Sequence, residues 1–306
     1  MSDQRTVRIG KRTIEISRPD KVLFPDDGIT KSDLVDHYRR VARRMVPQLR
    51  GRPLMMLRHP DGIAGEGIVQ KNAPAHFPDW VRLAELPKQG GTVTHVLCED
   101  AATLVFLADQ ACITPHRWLS RADRPNHPDR LVYDLDPSDG TGFPEVRWAA
   151  QRLCGLLDGL GLPTQLMTTG SRGLHVIVPL DRRMDFDGVR AFARDTAELL
   201  AGRHPDRLTT EPAKADRGAR VYLDTQRNAY AQTAVAPYAV RAIPGAPVAM
   251  PITREELDDP GLDARRWTMA ATAERLDQAD PWGGMPRRGR SLHSARSRLA
   301  EGMSRR

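Results

Sequence analysis

Apolar residues recur along this chain in two rhythms. From Thr30 onward, Leu34, Tyr38, Val41, Met45 and Leu49 advance by three or four positions, the spacing of one helix face. Thr30 followed by Asp33 forms a capping box, so a helix is predicted to begin there. The same rhythm returns at Val146, Ala150, Leu153 and Leu157, opened by Pro144 and closed by Gly161, which predicts a helix over 144–160. A third helix, over 187–202, carries Val189, Phe192, Ala193, Leu199 and Leu200. Short β-branched or apolar runs at 131–135, 174–178, 220–223 and 238–243 are predicted strands. Residues 1–23 alternate at period two (Val7, Ile9, then Ile14, Ile16) and read as a hairpin. Strands and helices interleaved in this way predict an α/β (α+β) chain with a mixed central sheet.

No repeat or long linker divides the chain. Residues 1–285 are read as one functional domain, with an N-terminal subregion to about 120 and a core over about 121–285. From Pro286 the sequence is basic and poor in large apolar residues, which predicts a mobile tail over 286–306.

Composition removes some classes of function. Of 306 residues, 40% are apolar, enough for a packed core, yet runs such as 103–108 fall far short of the ~20 residues of a membrane span. The charged N-terminus lacks the apolar stretch of a secretory signal. Three cysteines, Cys98, Cys112 and Cys154, match no zinc spacing and are expected as reduced core thiols. These features predict a cytoplasmic protein. The net charge of +7 is compatible with a polyanionic partner without specifying one.

Three segments could carry chemistry. In LVYDLDPSDG, Asp134 and Asp136 share one face if the segment is a strand. Two carboxylates held that close repel each other, and a divalent cation such as Mg²⁺ or Mn²⁺ relieves the repulsion. In TTGSRGLHVIVPL, a turn containing Ser171 runs into a strand bearing His175, so backbone N–H groups and the hydroxyl could meet an anion. In RVYLDTQRN, Asp224 ends an apolar strand, and further on Arg241 sits amid apolar neighbours. Three acids, metal ions and a triphosphate are the components of nucleotidyl transfer. The same acids would equally suit a metal-dependent phosphoesterase, or persist in a non-catalytic DNA-end-binding scaffold.

At these residues the chain resembles the polymerase domain of bacterial ligase D, in the archaeo-eukaryotic primase superfamily. The resemblance runs through RPDKVLFPDDGITKSDLVDHY, QKNAP, HRWLSR, VYDLDP, SRGLHVIVPL, YLD and TAVAPYAVRAIPGAPVAMPI. In NAYAQTAVAPYAVRA it is most like stand-alone actinobacterial relatives. The resemblance implies that Asp134, Asp136 and Asp224 are catalytic and bind two metal ions, Mn²⁺ or Mg²⁺. It implies that Ser171, His175 and Arg241 hold the triphosphate of an incoming NTP or dNTP, with His116 near its sugar and base. Lys21 and Lys31 match lysines that grip a downstream 5′-phosphate on DNA. Ile68, Val69, Lys71 and Asn72 fall on the template side, where two adjacent phenylalanines of studied members are replaced by Ile68 and Val69. After Asp224, many relatives have Gln-Asn where this chain has Arg227-Asn228.

The implied activity is template-dependent primer extension and gap filling in repair by end joining, with ribonucleotides favoured. De novo primer synthesis is the alternative. The implied partners are primer-template or gapped DNA, Ku and a separate ATP-dependent DNA ligase, since no K-x-D-G ligase motif occurs in the sequence. A nucleoid-associated location follows.

Overall fold

The computed structural model describes residues 4–284 and 289–304. The chain forms two compact units. The first takes the residues up to Asp123 with Val235–Ala249 and Trp267–Ala279, and the second takes Arg124–Ala234, Met250–Arg266 and the residues from Asp280. The division expected near 120 lies close to the first crossing. A linear division nevertheless misplaces 235–249 and 267–279, whose backbone groups bond within the first unit: Ala236 N–H donates to Pro115 and Met269 N–H to Ala246.

In the first unit, β1 (Gln4–Ile9) and β2 (Arg12–Ser17) make the expected hairpin, with Val7, Ile14 and Ile16 turned inward. Short β3 (Val22–Phe24) and β4 (Ile29–Thr30) lead into α1 (Lys31–Leu49). The Thr30 hydroxyl accepts from Asp33 N–H while the Asp33 carboxylate accepts from Thr30 N–H, satisfying donors the first turn leaves open. The predicted apolar stripe is the buried face of α1. Then follow β5 (Leu54–Arg58), β6 (Ile68–Gln70), the β7 (Arg82–Lys88)–β8 (Gly91–Leu97) hairpin, α2 (Ala101–Asp109) and β9 (Cys112–Trp118). Strand β5 pairs antiparallel with both β6 and β9. Helix α2 is buried almost all round, so no amphipathic rhythm announces it; Asp100 caps it by accepting from Thr103 N–H.

Asp109 fastens this unit. Its Oδ1 accepts from Ser17 N–H at 2.9 Å and from the Lys31 ammonium at 3.2 Å, joining β2, α1 and the end of α2. Lys31, 4% exposed, also donates to the Ser17 carbonyl and to Ser17 Oγ. Burial lowers the pKa of Lys31, and the Asp109 charge opposes that shift.

The second unit is built on a six-stranded sheet from β10 (Arg130–Pro137), β11 (Gln165–Thr168), β12 (Leu174–Pro179), β13 (Leu208–Thr209), β14 (Val221–Asp224) and, beyond β15 (Thr233–Val235), β16 (Pro251–Ile252). Its order is β13-β14-β10-β12-β11-β16, mixed because β13 runs parallel to β14 while the other pairs are antiparallel. Helices α3 (Phe143–Gly159) and α4 (Phe186–Arg203) both pack on β10, close to their predicted bounds. Two shorter helices complete the chain, α5 (Thr272–Asp277) in the first unit and α6 (Leu292–Ser304) in the second. Among the described residues, no helix is long and apolar enough to cross a membrane. Cys98, Cys112 and Cys154 are free and buried, and burial raises their thiol pKa values, that of Cys112 to about 12.

Two sequence expectations need correction. The segment expected as a mobile tail carries α6, packed on α4, with Leu292, Ala295 and Leu299 buried at helical spacing; Pro286–Arg288 and 305–306 lie outside the described residues. Arg290 adds a parallel bridge to Leu180. The predicted strand at 238–243 is absent. Tyr238 takes a left-handed φ of 65°, and Pro244 and Pro247 lack ladder donors, leaving a single bridge between Val240 and Val248.

Replacing Asp109 by alanine leaves the buried Lys31 ammonium without its counter-charge and the Ser17 N–H without its acceptor. Urea unfolding should show a loss of about 3–5 kcal/mol; a loss below about 1 kcal/mol would mean that the pair does not fasten the unit.

Candidate active site

Strand β10 lies between β12 and β14, and its two registers decide which side chains meet. Asp134 is opposite His175 of β12 on one side and opposite Asp224 of β14 on the other, while Asp136 is opposite Tyr222. Alternation places Asp134 and Asp136 on one face, with Tyr133 directed to the other, where its hydroxyl comes near Thr196 of α4. The acids therefore face away from α4. One carboxylate oxygen from each of Asp134, Asp136 and Asp224 lies within 4.8 Å of the others.

The register continues past the end of β14 through a side chain. Asn228 is fully buried; its Oδ1 accepts from Val132 N–H at 2.9 Å and its Nδ2 donates to Val132 O at 2.7 Å. The amide occupies the place of the next strand residue and closes the β10 ladder. It also fixes the backbone of the short turn Gln226–Asn228, so that Arg227 Nε lies 3.5 Å from Asp134 Oδ2. His175 Nε2 stands 3.4 Å from Asp134 Oδ1.

These neighbours set the charges. Burial pushes the Asp134 pKa up, but His175 and Arg227 together outweigh it and hold the carboxyl below its ordinary value. Asp136 has no ion pair among the described residues: burial, then the charges of Asp134 and Asp224, outweigh the more distant Arg172 and His175 and raise it to about 6. Asp224 is also raised, chiefly by burial, although its Oδ1 accepts from Gln226 N–H at 2.7 Å. Asp134 Oδ1 is buried without a hydrogen bond. Three acids at this spacing, one of them carrying a buried oxygen without a hydrogen bond, fit a divalent cation, which prefers oxygen ligands.

The turn before β12 is held by Thr169. Its hydroxyl accepts from Ser171 N–H and Gly173 N–H, while Arg265 Nε donates to the Ser171 carbonyl at 2.8 Å. A Cβ at Gly173 would stand 2.3 Å from the Leu135 carbonyl oxygen, so only glycine lets the turn lie against β10. A cavity of about 230 Å³ opens directly after Asp136, lined by Ser138, Asp139, Arg172, Lys214 and Arg217.

Comparison with known proteins identifies the family. A family model described as LigD, primase-polymerase domain, matches residues 30–282. The chain belongs to the LigD primase-polymerase domain family. Its chemistry is accordingly that of a nucleotidyltransferase. It is 33% identical over 272 residues to the multifunctional non-homologous end joining protein LigD of Mycolicibacterium smegmatis, covering 88% of this chain and 35% of that protein. The Bacillus subtilis bifunctional LigD is 29% identical over 264 residues, covering 86% of this chain and 42% of its own length. The chain thus spans about a third to two fifths of these curated relatives. Among solved structures it is similar to the polymerase domain of Mycobacterium tuberculosis ligase D in complex with DNA, with TM-score 0.82 and 32% identity, covering 86% of this chain and 94% of that one.

Within this LigD-type domain, the structure brings Asp134, Asp136, Asp224 and His175 together, with Ser171 and Arg172 on the adjoining turn. His175 is directed at Asp134. The other residues singled out from the sequence belong to the first unit. His116, on β9, and Arg241 are half-buried. Lys21 pairs with Asp61 at 2.8 Å. Lys31 departs from expectation: its ammonium is buried on Asp109 instead of lying open to a DNA phosphate. On β6, Ile68 and Val69 are 47% and 61% exposed, and Lys71 is exposed beyond them. Asn72 Oδ1 accepts from Thr94 N–H, which commits it to the hairpin. Sequence reasoning passed over Arg172, although it lies inside the quoted turn. It had no signal for Asn228, whose ladder role appears only once β14 is seen to stop.

The raised Asp136 pKa has a stability consequence. The folded chain keeps this proton up to about pH 6, whereas the ordinary carboxyl loses it near 3.8. Folding is therefore favoured below about pH 4, and that advantage is lost as pH rises through about 6. With chelator present, Asp136→Asn should be more stable than the parent above pH 6, by on the order of 1–2 kcal/mol after solvent screening. The gain should vanish near pH 4. Equal thermal unfolding of the two proteins at pH 7.5 would refute this assignment.

Proposed function

We propose that this chain is a template-dependent polymerase that extends primers and fills short gaps in DNA during repair by end joining. The observation carrying this reading is the row His175–Asp134–Asp224 across three strands, with Asp136 on the same face and the Ser171–Arg172 turn beside it. An enzyme that only hydrolyses phosphodiesters needs the acids but no anion-ready turn or basic cavity for a triphosphate.

Asp134, Asp136 and Asp224 would hold two Mn²⁺ or Mg²⁺ ions. Bound there, the metals supply Lewis-acid stabilisation of the attacking 3′-oxygen and the leaving pyrophosphate. The Ser171 hydroxyl and the Arg172 guanidinium, on the turn that Thr169 holds in place, orient the triphosphate of an incoming nucleotide, with ribonucleotides favoured. Arg172, Lys214 and Arg217 offset the negative charge of its β- and γ-phosphates in the cavity after Asp136. In the first unit, Arg241 and His116 are assigned to the nucleotide, and Lys21 to a downstream 5′-phosphate in exchange for Asp61. Ile68 and Val69 offer the template base an aliphatic surface, without the stacking an aromatic ring adds, about 1–3 kcal/mol per base.

End joining is supported by the description of the LigD relatives as non-homologous end joining proteins. DNA as partner is supported by the similar solved structure, which contains it. On this reading Ku and an ATP-dependent ligase act with the chain at DNA ends in the nucleoid.

Single-nucleotide insertion on a gapped duplex bearing a downstream 5′-phosphate tests the proposal. Insertion should follow the template, and Asp136→Ala should lower it by at least about 10²–10³-fold with DNA binding retained. Lys21→Ala should remove the advantage of the 5′-phosphate. Undiminished synthesis by Asp136→Ala would sink the assignment, and synthesis confined to bare single strands would make the enzyme a primase.

A further inference from the structure

Both oxygens of Asp134 face a potential cation. His175 Nε2 stands 3.4 Å from Oδ1, and Arg227 Nε stands 3.5 Å from Oδ2. Asp134 itself is buried, 6% exposed, and the His175 contact is shielded from water with it, whereas the Arg227 side chain reaches solvent. The two partners are not equivalent. An imidazole can release its proton and cease to compete with a metal ion. A guanidinium stays charged at every pH a protein experiences. It must move, or coexist with a like charge beside the same carboxylate.

Arg227 is built to move. Its backbone is fixed, because Asn228 is locked onto Val132 and Gln226 N–H is bonded to Asp224. Its side chain is 42% exposed at the outer edge of the acid cluster. Asp134 is the only carboxylate that the described residues place in ion-pair contact with its guanidinium, although its charge also reaches Asp224.

We propose that Arg227 is a resident counter-ion of Asp134 that an arriving metal ion displaces, and that the released guanidinium then pairs with the phosphates of the incoming nucleotide. This rests on the reading of the acid cluster as a metal centre. Without nucleotide, the fixed positive charge opposes the metal. With nucleotide bound, the same charge has an anion to receive it. Metal and nucleotide binding thereby become coupled, and the coupling is reciprocal. Arg227 is a positioning residue here: it sets the order in which charges enter the site.

The test is Mn²⁺ binding by titration calorimetry, cross-checked by the electron paramagnetic resonance signal of free Mn²⁺, with no DNA present. Arg227→Gln removes the charge at an exposed position and leaves the Asn228 anchor intact. Without nucleotide, it should bind Mn²⁺ about tenfold more tightly than the parent, equivalent to about 1.4 kcal/mol. Arg227→Lys, which keeps the charge, should stay within about threefold of the parent. Adding a non-hydrolysable nucleoside triphosphate should tighten Mn²⁺ binding more in the parent than in Arg227→Gln. If Arg227→Gln binds Mn²⁺ no more tightly than the parent, or if Arg227→Lys tightens it equally, the proposal is overturned. If the parent binds no Mn²⁺ at all, the metal-centre reading falls first, and with it the ground for the proposal.

Discussion

The organising constraint of the catalytic unit is the register of β10. It has a neighbour on each side, and both pairings put an ionisable side chain opposite Asp134, His175 from β12 and Asp224 from β14. A slip of one residue in either pairing would turn the row over and bring Leu135 to the acid face. Several other features follow from the need to hold that register. Asn228 extends the ladder where β14 has ended, and Gly173 allows the preceding turn to lie against Leu135.

Holding three carboxylates this close opposes folding. The opposition falls mainly on Asp136, which has no ion pair among the described residues and retains its proton to about pH 6. Asp134 is relieved by His175 and Arg227, and Asp224 in part by the Gln226 N–H. The sheet withstands the repulsion because the residues around it are apolar and fully buried, among them Leu135, Val176 and Leu223. The acids thus sit in a frame that is stable despite them, and this separates their chemistry from the work of folding. In the first unit the charges do the reverse, since the Lys31–Asp109 pair joins three elements and leaves neither group open to a ligand.

Much of this was legible in the sequence, for identifiable reasons. Helices α1, α3 and α4 each bury one face, so their apolar residues recur at helical spacing, and Thr30, Asp33 and Pro144 mark where two of them begin. Asp134 and Asp136 could be placed on a common face because strand side chains alternate. What escaped were features without a period. Helix α2 is buried all round and has no stripe to detect. The segment at Tyr238 has the β-branched and apolar look of a strand but turns through a left-handed residue. In the basic C-terminal stretch, Leu292, Ala295 and Leu299 are too few to outweigh the arginines in composition, yet they suffice to dock a helix. Lys31 matched a motif position, and only its surroundings show that its charge is already committed.

The path of the chain also fixes when the protein can exist as a folded object. The first unit draws its residues from three separated stretches, the last ending at Ala279, and the second needs the strand at Pro251–Ile252 and the helix that follows Leu292. A ribosome emitting the chain in order would therefore release β10 with its acids long before either unit had all its parts. Neither unit corresponds to a continuous stretch of coding sequence. The two halves could be exchanged between relatives only together, as one inherited block.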